Sequence, residues 1–154
     1  MSIYRRWPAE NEPRLITTNT HQRRPIFRSA AACQNFVNQI YRVRADVGFL
    51  LLSFVIMPDH VHLILVPTAT ESGRLMHLIK GRFARSYNAQ RGAKGSVWQS
   101  RFHEAVLISD EAFSQAMEYV ETNPVAAGIV ERPHDYRWST ACGAYETDLR
   151  QYLG

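Results

Sequence analysis

Two apolar runs separated by a very short polar turn constrain the fold of this chain more than any other feature. Residues 49–57 are apolar apart from one serine, residues 61–66 are apolar apart from one histidine, and Pro58-Asp59 lies between the runs. Runs of this length, rich in Val, Ile and Leu and bounded by turn residues, are typical of buried strands. So short a turn joins antiparallel neighbours. The sequence therefore predicts a hairpin at the centre of an antiparallel sheet.

The segments around the hairpin alternate between strand-like and helix-like patterns. Ser29 is a candidate N-cap, and Asn123-Pro124 is a candidate helix stop because the residue before proline avoids helical angles. In chain order the predicted elements are a strand at 15–20, a helix from Ser29 to Gly48, the hairpin, a basic amphipathic helix at about 73–90, a strand or strand pair at 97–108 and a helix at 110–123. This order predicts an α+β fold with helices packed on an antiparallel sheet, of the ferredoxin-like type.

The composition is that of an ordinary globular protein. Of the 154 residues, 45% are apolar and 21% are charged, and no apolar run approaches the roughly 20 residues that a membrane-spanning helix needs. No repeat, low-complexity tract or linker interrupts the chain. This continuity predicts one domain over residues 1–154, with a C-terminal extension from about residue 130 to 154 whose position the pattern does not indicate.

Two features predict a cytoplasmic location. The first seven residues contain two arginines, but no long apolar stretch follows them, so a signal peptide is not expected. Cys33 and Cys142 lie far apart and form no CxxC pair, as expected of ordinary thiols in a reducing compartment.

Basic and aromatic residues are interleaved between positions 80 and 102. The net charge of +4 is compatible with nucleic-acid binding without requiring it. Basic side chains among aromatics suit phosphate neutralisation with base stacking on single-stranded nucleic acid. A solvated helix face with core aromatics explains the same pattern, and this segment alone favours that simpler interpretation. The candidate DNA contacts are Lys80, Arg82, Arg85 and Arg101.

His60 and His62 begin the second strand of the predicted hairpin. Side chains alternate faces in a strand, so both imidazoles should project from one side while Val61 enters the other. Neutral imidazole is a ligand for zinc, manganese and related ions, and Asp59 could orient one ring from behind. Two histidines on a solvated face are the alternative. A metal site would need a further ligand from elsewhere in the chain.

The predicted helix at 110–123 could supply both a nucleophile and that further ligand. Tyr119 falls at the rim of its apolar stripe, and Asn123 follows one turn later on the same side. Tyrosine can act as a covalent nucleophile, and an asparagine carbonyl oxygen can coordinate a hard cation. The alternatives are a half-buried tyrosine with its hydroxyl in water and an ordinary Asn-Pro helix stop.

Several motifs in this order resemble the single-tyrosine HUH transposases. The segment 57–65, MPDHVHLIL, resembles their His-hydrophobic-His core, and the segment 119–130, YVETNPVAAGIV, resembles their tyrosine helix. The other matching segments are Thr17-Thr18, residues 23–27, residues 97–102 and residues 135–139. Together they span residues 15–140, and the chain is most similar to the REP-associated tyrosine transposases within that superfamily.

The resemblance implies a ferredoxin-like fold of the HUH endonuclease type and a divalent metal, Mg²⁺ or Mn²⁺, with no nucleotide cofactor. It implies cleavage and rejoining of single-stranded DNA near short, REP-like hairpins through a 5′-phosphotyrosine. Carried over by motif, His60 and His62 are metal ligands, Tyr119 is the nucleophile and Asn123 is the third ligand. Insertion-sequence members commonly carry glutamine at that place, so the asparagine is a departure from their pattern.

Three points stay open at this stage. The resemblance is compatible with a monomer or a homodimer, and hence with a tyrosine acting in cis or in trans. A rolling-circle-type nickase shares the same chemistry, although the chain is small and has no helicase segment. A domesticated protein that binds DNA or RNA hairpins without cutting them is a further alternative, against which the intact His60, His62 and Tyr119 argue.

Overall fold

The structure, a computed structural model, describes residues 11–154. The N-terminal residues, for which the sequence predicts no signal peptide, lie outside this part. The helices and strands follow in the order β1 (Arg14–Asn19), α1 (Ala30–Val47), β2 (Phe49–Met57), β3 (His60–Pro67), α2 (Ser72–Arg91), β4 (His103–Val106), α3 (Asp110–Ala126) and α4 (Leu149–Leu153).

The strands form one antiparallel sheet in the order β2-β3-β1-β4. The predicted hairpin is β2-β3, and β3 lies between β2 and β1. In this register His62 stands opposite Val55 of β2 on one side and Thr17 of β1 on the other. The predicted ferredoxin-like arrangement of an antiparallel sheet with packed helices is therefore confirmed, and the register fixes which side chains share a face.

Both faces of the central strand are covered, since every residue of β3 after His60 is buried. Helix α3 contacts β2 and β3 on the face that carries His62. Helices α1 and α2 pack on each other over the opposite face. An aromatic cluster with ring centroids 5.2 to 5.8 Å apart fills the core there, and its members are Phe27, Phe36, Phe83 and Trp98. The predicted limits of α1 are confirmed, since the Ser29 side chain caps it and Gly48 follows it at φ 80°.

The strand predicted at 97–108 is wrong over its first half. Only His103–Val106 is a strand, and Trp98 contributes a single isolated bridge to Thr20. Val97 and Trp98 are both buried. The backbone of this segment pairs only briefly with the chain at the end of β1, through His21 and Asn19, and the Trp98 indole N–H donates to the carbonyl oxygen of Lys80 on α2 at 3.1 Å.

The predicted stop of the last long helix at Asn123-Pro124 is also wrong. Helix α3 continues through Pro124 to Ala126. Proline removes one backbone hydrogen bond of the helix, but the bonds that follow it are still made. The amide of Ala127 donates to Asn123 at 3.0 Å and that of Ile129 donates to Pro124 at 2.9 Å. Asn123 therefore stays helical, one turn beyond Tyr119.

The C-terminal residues, whose position the sequence did not indicate, run along the outer edge of β2. The Ile56 amide donates to the Trp138 carbonyl at 2.8 Å, and the Asp148 amide donates to the Leu51 carbonyl at 2.7 Å. The Asp148 carboxylate accepts from the Leu51 amide at 2.8 Å and from the Arg44 guanidinium at 2.6 Å. These bonds close an edge that would otherwise present unpaired backbone groups.

No helix within residues 11–154 is long and apolar enough to cross a bilayer. Cys33 is buried, Cys142 is partly exposed, and both are free thiols.

Candidate active site

An open cleft of about 510 Å³ lies between the start of β3 and the C-terminal half of α3. Its polar lining consists of Thr17, Arg23, His60, His62, Tyr119 and Asn123. Four of these six, the two histidines, the tyrosine and the asparagine, are the site residues that the sequence predicts. The structure therefore places all four in one cleft, and it adds a threonine from β1 and an arginine from the loop after β1.

The alternation of β3 explains why the histidines meet. Val61 is fully buried on the opposite face, and the two imidazole centroids are 4.8 Å apart. His62 is 3% exposed, while His60 lies at the strand end with part of its ring at the surface. Two rings this close can converge on a single ion between them.

Each imidazole is held through its Nδ1 atom. His60 Nδ1 lies 2.7 Å from Asp59 Oδ1, and His62 Nδ1 lies 2.7 Å from Thr17 Oγ1. A carboxylate accepts a hydrogen bond from Nδ1–H, and a hydroxyl oxygen can do the same, which leaves the Nε2 lone pairs for a ligand. The Asp59 contact is the orienting interaction predicted from its place before His60.

His62 is held in its neutral form. Burial first, then the nearby charges of His60 and Arg23, lowers the pKa of His62 to about 4. Its Nε2 atom is buried and has no hydrogen-bond partner in the described part of the chain. A buried polar nitrogen without a partner costs free energy, and a metal ion would satisfy it.

The donor set suits a divalent cation. Besides the two Nε2 atoms, the cleft contains the side chain of Asn123, whose amide oxygen is a ligand for hard and borderline ions. No group of three His, Cys, Asp or Glu side chains in residues 11–154 could hold an ion. A three-residue protein site in this cleft would thus take its third ligand from a neutral oxygen such as that of Asn123.

Arg23 holds Asp59 from the other side. The Arg23 Nε and Nη2 atoms donate to the two Asp59 oxygens at 3.1 and 3.3 Å. Burial raises the pKa of Asp59, but hydrogen bonds from Arg23 and His60 outweigh it and hold that pKa below its usual value. Gln22 and Arg23 both have positive φ, 56° and 55°, which is rare for residues with a side chain and common at functional sites.

Thr17 and Arg23 were not predicted as site residues. Both belong to segments that match the transposase pattern, but their contacts depend on the β1-β3 register and on left-handed backbone in a loop. Neither property can be read from residue types alone. The only signal in the sequence was that both residues lie in segments resembling the transposases, and this resemblance did not indicate a role for either side chain.

Tyr119 extends from α3 over the buried imidazole. Its ring centroid lies 5.1 Å from that of His62, with the planes at 70°, and the residue is 50% exposed. Phe113, Ala116 and Val120 are buried and fix the helix on the sheet, while the Ser109 side chain caps it. The tyrosine therefore lies at the rim of the apolar stripe, with its hydroxyl accessible to a molecule in the cleft.

The basic residues predicted as DNA contacts lie outside this cleft. Lys80 and Arg82 belong to α2, where Lys80 donates to the Gln99 carbonyl at 3.1 Å and Arg82 pairs with Asp46 at 2.7 Å. Two of the interleaved aromatics, Phe83 and Trp98, are buried in the core, so the simpler interpretation is correct for them. A DNA-contacting role for Lys80, Arg82, Arg85 and Arg101 stays a prediction.

Known proteins are similar to this chain in sequence and in structure. The chain is 28% identical to the REP-associated tyrosine transposase of Escherichia coli K12, over 96% of this chain and 90% of that protein. The solved structure of a REP-associated tyrosine transposase bound to a REP hairpin matches with a TM-score of 0.73 at 27% identity, covering 95% of this chain and 89% of the other. A Deinococcus radiodurans R1 crystal structure, 18% identical, matches with a TM-score of 0.55 over 73% of this chain and 90% of the other, which shows the fold alone.

The family described as "Transposase IS200 like" matches residues 14–123. That range begins at the first residue of β1 and ends at Asn123, so it contains both histidines and the tyrosine of the cleft. It covers well over half of the 154 residues. The chain therefore belongs to the family of IS200-like transposases.

Proposed function

We propose that this protein is a metal-dependent single-tyrosine transposase that cleaves and rejoins single-stranded DNA next to short hairpins through a 5′-phosphotyrosine. The observation that carries the proposal is the position of Tyr119 over His62, with ring centroids 5.1 Å apart, in the cleft that also holds His60 and Asn123. The relative solved with a REP hairpin supports a hairpin partner of that kind.

The proposed metal is Mg²⁺ or Mn²⁺. The Nε2 atoms of His60 and His62 and the side-chain oxygen of Asn123 would hold it, and the unpartnered Nε2 of His62 supports this assignment. Bound there, the ion would polarise the scissile phosphate and stabilise the charge that develops on it.

Tyr119 supplies the covalent step. Its hydroxyl releases a proton to solvent, its oxygen forms a bond to phosphorus, and the bond between phosphorus and the 3′ oxygen breaks. The 3′ oxygen takes up a proton and leaves as a hydroxyl, while the 5′ phosphate stays on Tyr119. Attack by a free 3′ hydroxyl on this phosphotyrosine reverses the step and rejoins DNA, so no nucleotide cofactor is needed.

An adduct assay tests this proposal. Wild-type protein incubated with a panel of single-stranded hairpin oligonucleotides and Mn²⁺ should yield a covalent protein–DNA band on a denaturing gel. Tyr119→Phe should yield none, because it removes the attacking oxygen. Tyr87→Phe is the matched control, since Tyr87 lies on α2 with its ring stacked on Phe83 at 5.4 Å. An adduct with Tyr119→Phe, or none with wild type on any hairpin, contradicts the mechanism.

We further propose that the tyrosine acts in cis, because one chain brings Tyr119, His60 and His62 into one cleft. Tyr119→Phe and His62→Ala proteins, each expected to be inactive alone, are mixed and assayed for adduct. A site completed in cis predicts no recovery at any mixing ratio. Recovery of about a quarter to a half of wild-type yield would show that a helix from a second chain completes the site.

A further inference from the structure

A second depression adjoins the active-site cleft. It encloses about 460 Å³, and three residues, Arg23, His60 and Ala127, line both depressions. The lining that belongs to the second depression alone includes Pro25, Arg28, Met57, Pro58 and Ile129. We call it the flanking pocket. Because the two share a wall, a strand of DNA lying in the cleft can continue into the flanking pocket without leaving the surface.

Backbone hydrogen bonds hold the walls of the flanking pocket in place. The Phe27 amide donates to the Pro58 carbonyl, and the Thr20 amide donates to the Asp59 carbonyl, both at 3.0 Å. These bonds tie the loop after β1 to the hairpin turn. On the other side, the Ile129 amide donates to the carbonyl of Pro124 and fixes the chain after α3. The pocket is thus largely formed before a ligand arrives, as is usual for binding sites.

The lining combines apolar surface with an available cation. Ile129 is 43% exposed, a large apolar side chain left at the surface beside two prolines. Arg28 is exposed and has no ion pair or side-chain hydrogen bond within the described residues, whereas Arg23 is engaged by Asp59. A pocket with apolar walls next to a free guanidinium suits a nucleobase with a phosphate beside it.

We propose that the flanking pocket binds the base of a nucleotide next to the scissile phosphate and that Arg28 contacts a neighbouring phosphate. The inference rests on the proposed function, since it takes the scissile phosphate to lie in the cleft between His60, His62 and Tyr119. It assigns Ile129 and Arg28 to substrate binding. Asp59, the carboxylate in the lining, is paired with Arg23 and so does not repel the DNA backbone.

An abasic scan tests the pocket. In hairpin oligonucleotides, each nucleotide within three positions of the cleavage site is replaced singly by an abasic residue. Loss of the base's contact with the apolar lining at one such position should slow wild-type adduct formation by roughly 5- to 30-fold, the effect of losing part of the burial of one apolar side chain. Ile129→Ser should form the adduct more slowly on intact DNA. It should also lose the sensitivity to the abasic replacement, because its pocket no longer provides the apolar contact with the base. Equal sensitivity of Ile129→Ser and wild type at every position overturns the assignment.

Arg28 is tested by salt dependence. Binding of the hairpin to Tyr119→Phe protein, followed by fluorescence anisotropy, should weaken in Arg28→Ala, and the slope of log K against log salt should fall by about one. Arg42→Ala is the matched control, because Arg42 is an exposed arginine on α1. Equal slopes in Arg28→Ala and its Tyr119→Phe parent, or equal losses in both arginine variants, overturn the phosphate contact.

The two proposals fail in different ways. If intact hairpin DNA gives no adduct with wild-type protein, the proposed function fails. The flanking pocket is then tested by the affinities of the abasic oligonucleotides for Tyr119→Phe and for its Ile129→Ser derivative. If intact DNA gives an adduct but no flanking position depends on Ile129, the transposase proposal stands and the pocket is wrong.

Discussion

At the scale of single residues, two hydrogen bonds decide which nitrogen of each histidine faces the cleft. Thr17 lies opposite His62 in the sheet register and contacts its Nδ1 at 2.7 Å, and Asp59 does the same for His60. Partners of this kind set the tautomer and the ring angle of a ligand, so they affect metal affinity without touching the metal.

Thr17→Val should weaken Mn²⁺ binding roughly 10- to 100-fold, the range usual for loss of a partner behind a ligand. The substitution keeps the shape of the side chain and removes the hydroxyl that holds His62. Isothermal titration calorimetry on the DNA-free protein measures the effect.

Thr18→Val is its matched control. Thr18 is the next residue of the same strand, and its buried hydroxyl has no hydrogen-bond partner in the described structure. We expect unchanged Mn²⁺ affinity and equal or higher stability, because an unpartnered buried hydroxyl is replaced by a methyl group. A similar loss of affinity in both variants would contradict the orienting role of Thr17.

The sequence predicted the candidate ligands and nucleophile of the cleft better than the residues that hold them in position. His60 and His62 were placed on one face because strand alternation is local, and Tyr119 and Asn123 were paired because helical spacing is local. Thr17 reaches the site through the pairing of β1 with β3, and it lies 45 positions before His62 in the chain. Arg23 reaches the site because Gln22 and Arg23 both adopt left-handed backbone angles. Neither is a glycine, so nothing in the sequence indicated this conformation.

At the scale of the elements, one carboxylate of the C-terminal segment contacts both β2 and α1. Asp148 is 9% exposed and accepts from the Leu51 amide and from both ends of the Arg44 guanidinium fork, at 2.6 and 2.9 Å. Burial raises the pKa of Asp148, but these hydrogen bonds outweigh it and keep that pKa below its usual value.

Asp148→Asn should lower the free energy of unfolding by about 1–3 kcal/mol at pH 7, since the partly buried Arg44 guanidinium would keep only Glu146, a 79% exposed partner at 3.6 Å. Asp46→Asn is the control. It disrupts the ion pair with Arg82, in which the aspartate side chain is 55% exposed, and should cost less than about 1 kcal/mol. Urea denaturation measures the free energy of unfolding of both variants. Equal losses would show that the Asp148 contacts stabilise the fold no more than an exposed ion pair does.

The same carboxylate predicts a pH dependence. A carboxyl group whose folded pKa lies below its unfolded value stabilises the folded state at higher pH, and this contribution is lost as pH falls below the unfolded value of 3.8 and through the folded pKa. The stability difference between wild type and Asp148→Asn should therefore shrink from pH 6 to pH 3. A constant difference over that range would contradict the assigned charge interaction.

Element boundaries show where local patterns fail. The stop expected at Pro124 follows from backbone preference alone, but tertiary packing keeps the last turn of α3 helical because Pro124 is buried. The segment at Val97 and Trp98 is irregular where the Trp98 indole packs into the aromatic core. The pattern of apolar and polar residues along the chain does not indicate such packing. The hairpin and both limits of α1 were correctly predicted because their signals are short-range.

At the scale of the whole molecule, metal binding should stabilise the fold. An ion that binds only the folded state at 100 times its Kd adds about 2.7 kcal/mol, which corresponds to roughly 5–10 °C in Tm for a protein of this size. We expect this rise with Mn²⁺ in differential scanning fluorimetry, its reversal by EDTA, and its absence in His62→Ala. An equal rise in that variant would place the ion elsewhere.

The covered edge of β2 has a consequence for shortened forms of this protein. The sheet ends at β2 on one side and at β4 on the other, and the residues of β4 are exposed. A chain that stopped before Tyr136 would lose the strand-like bonds to Leu51 and Ile56 and would present two open edges to neighbouring copies. Sheet edges of this kind add strands from other molecules. A premature stop codon in this region should therefore be seen first as insoluble aggregate in the cell, before any loss of DNA chemistry could be measured.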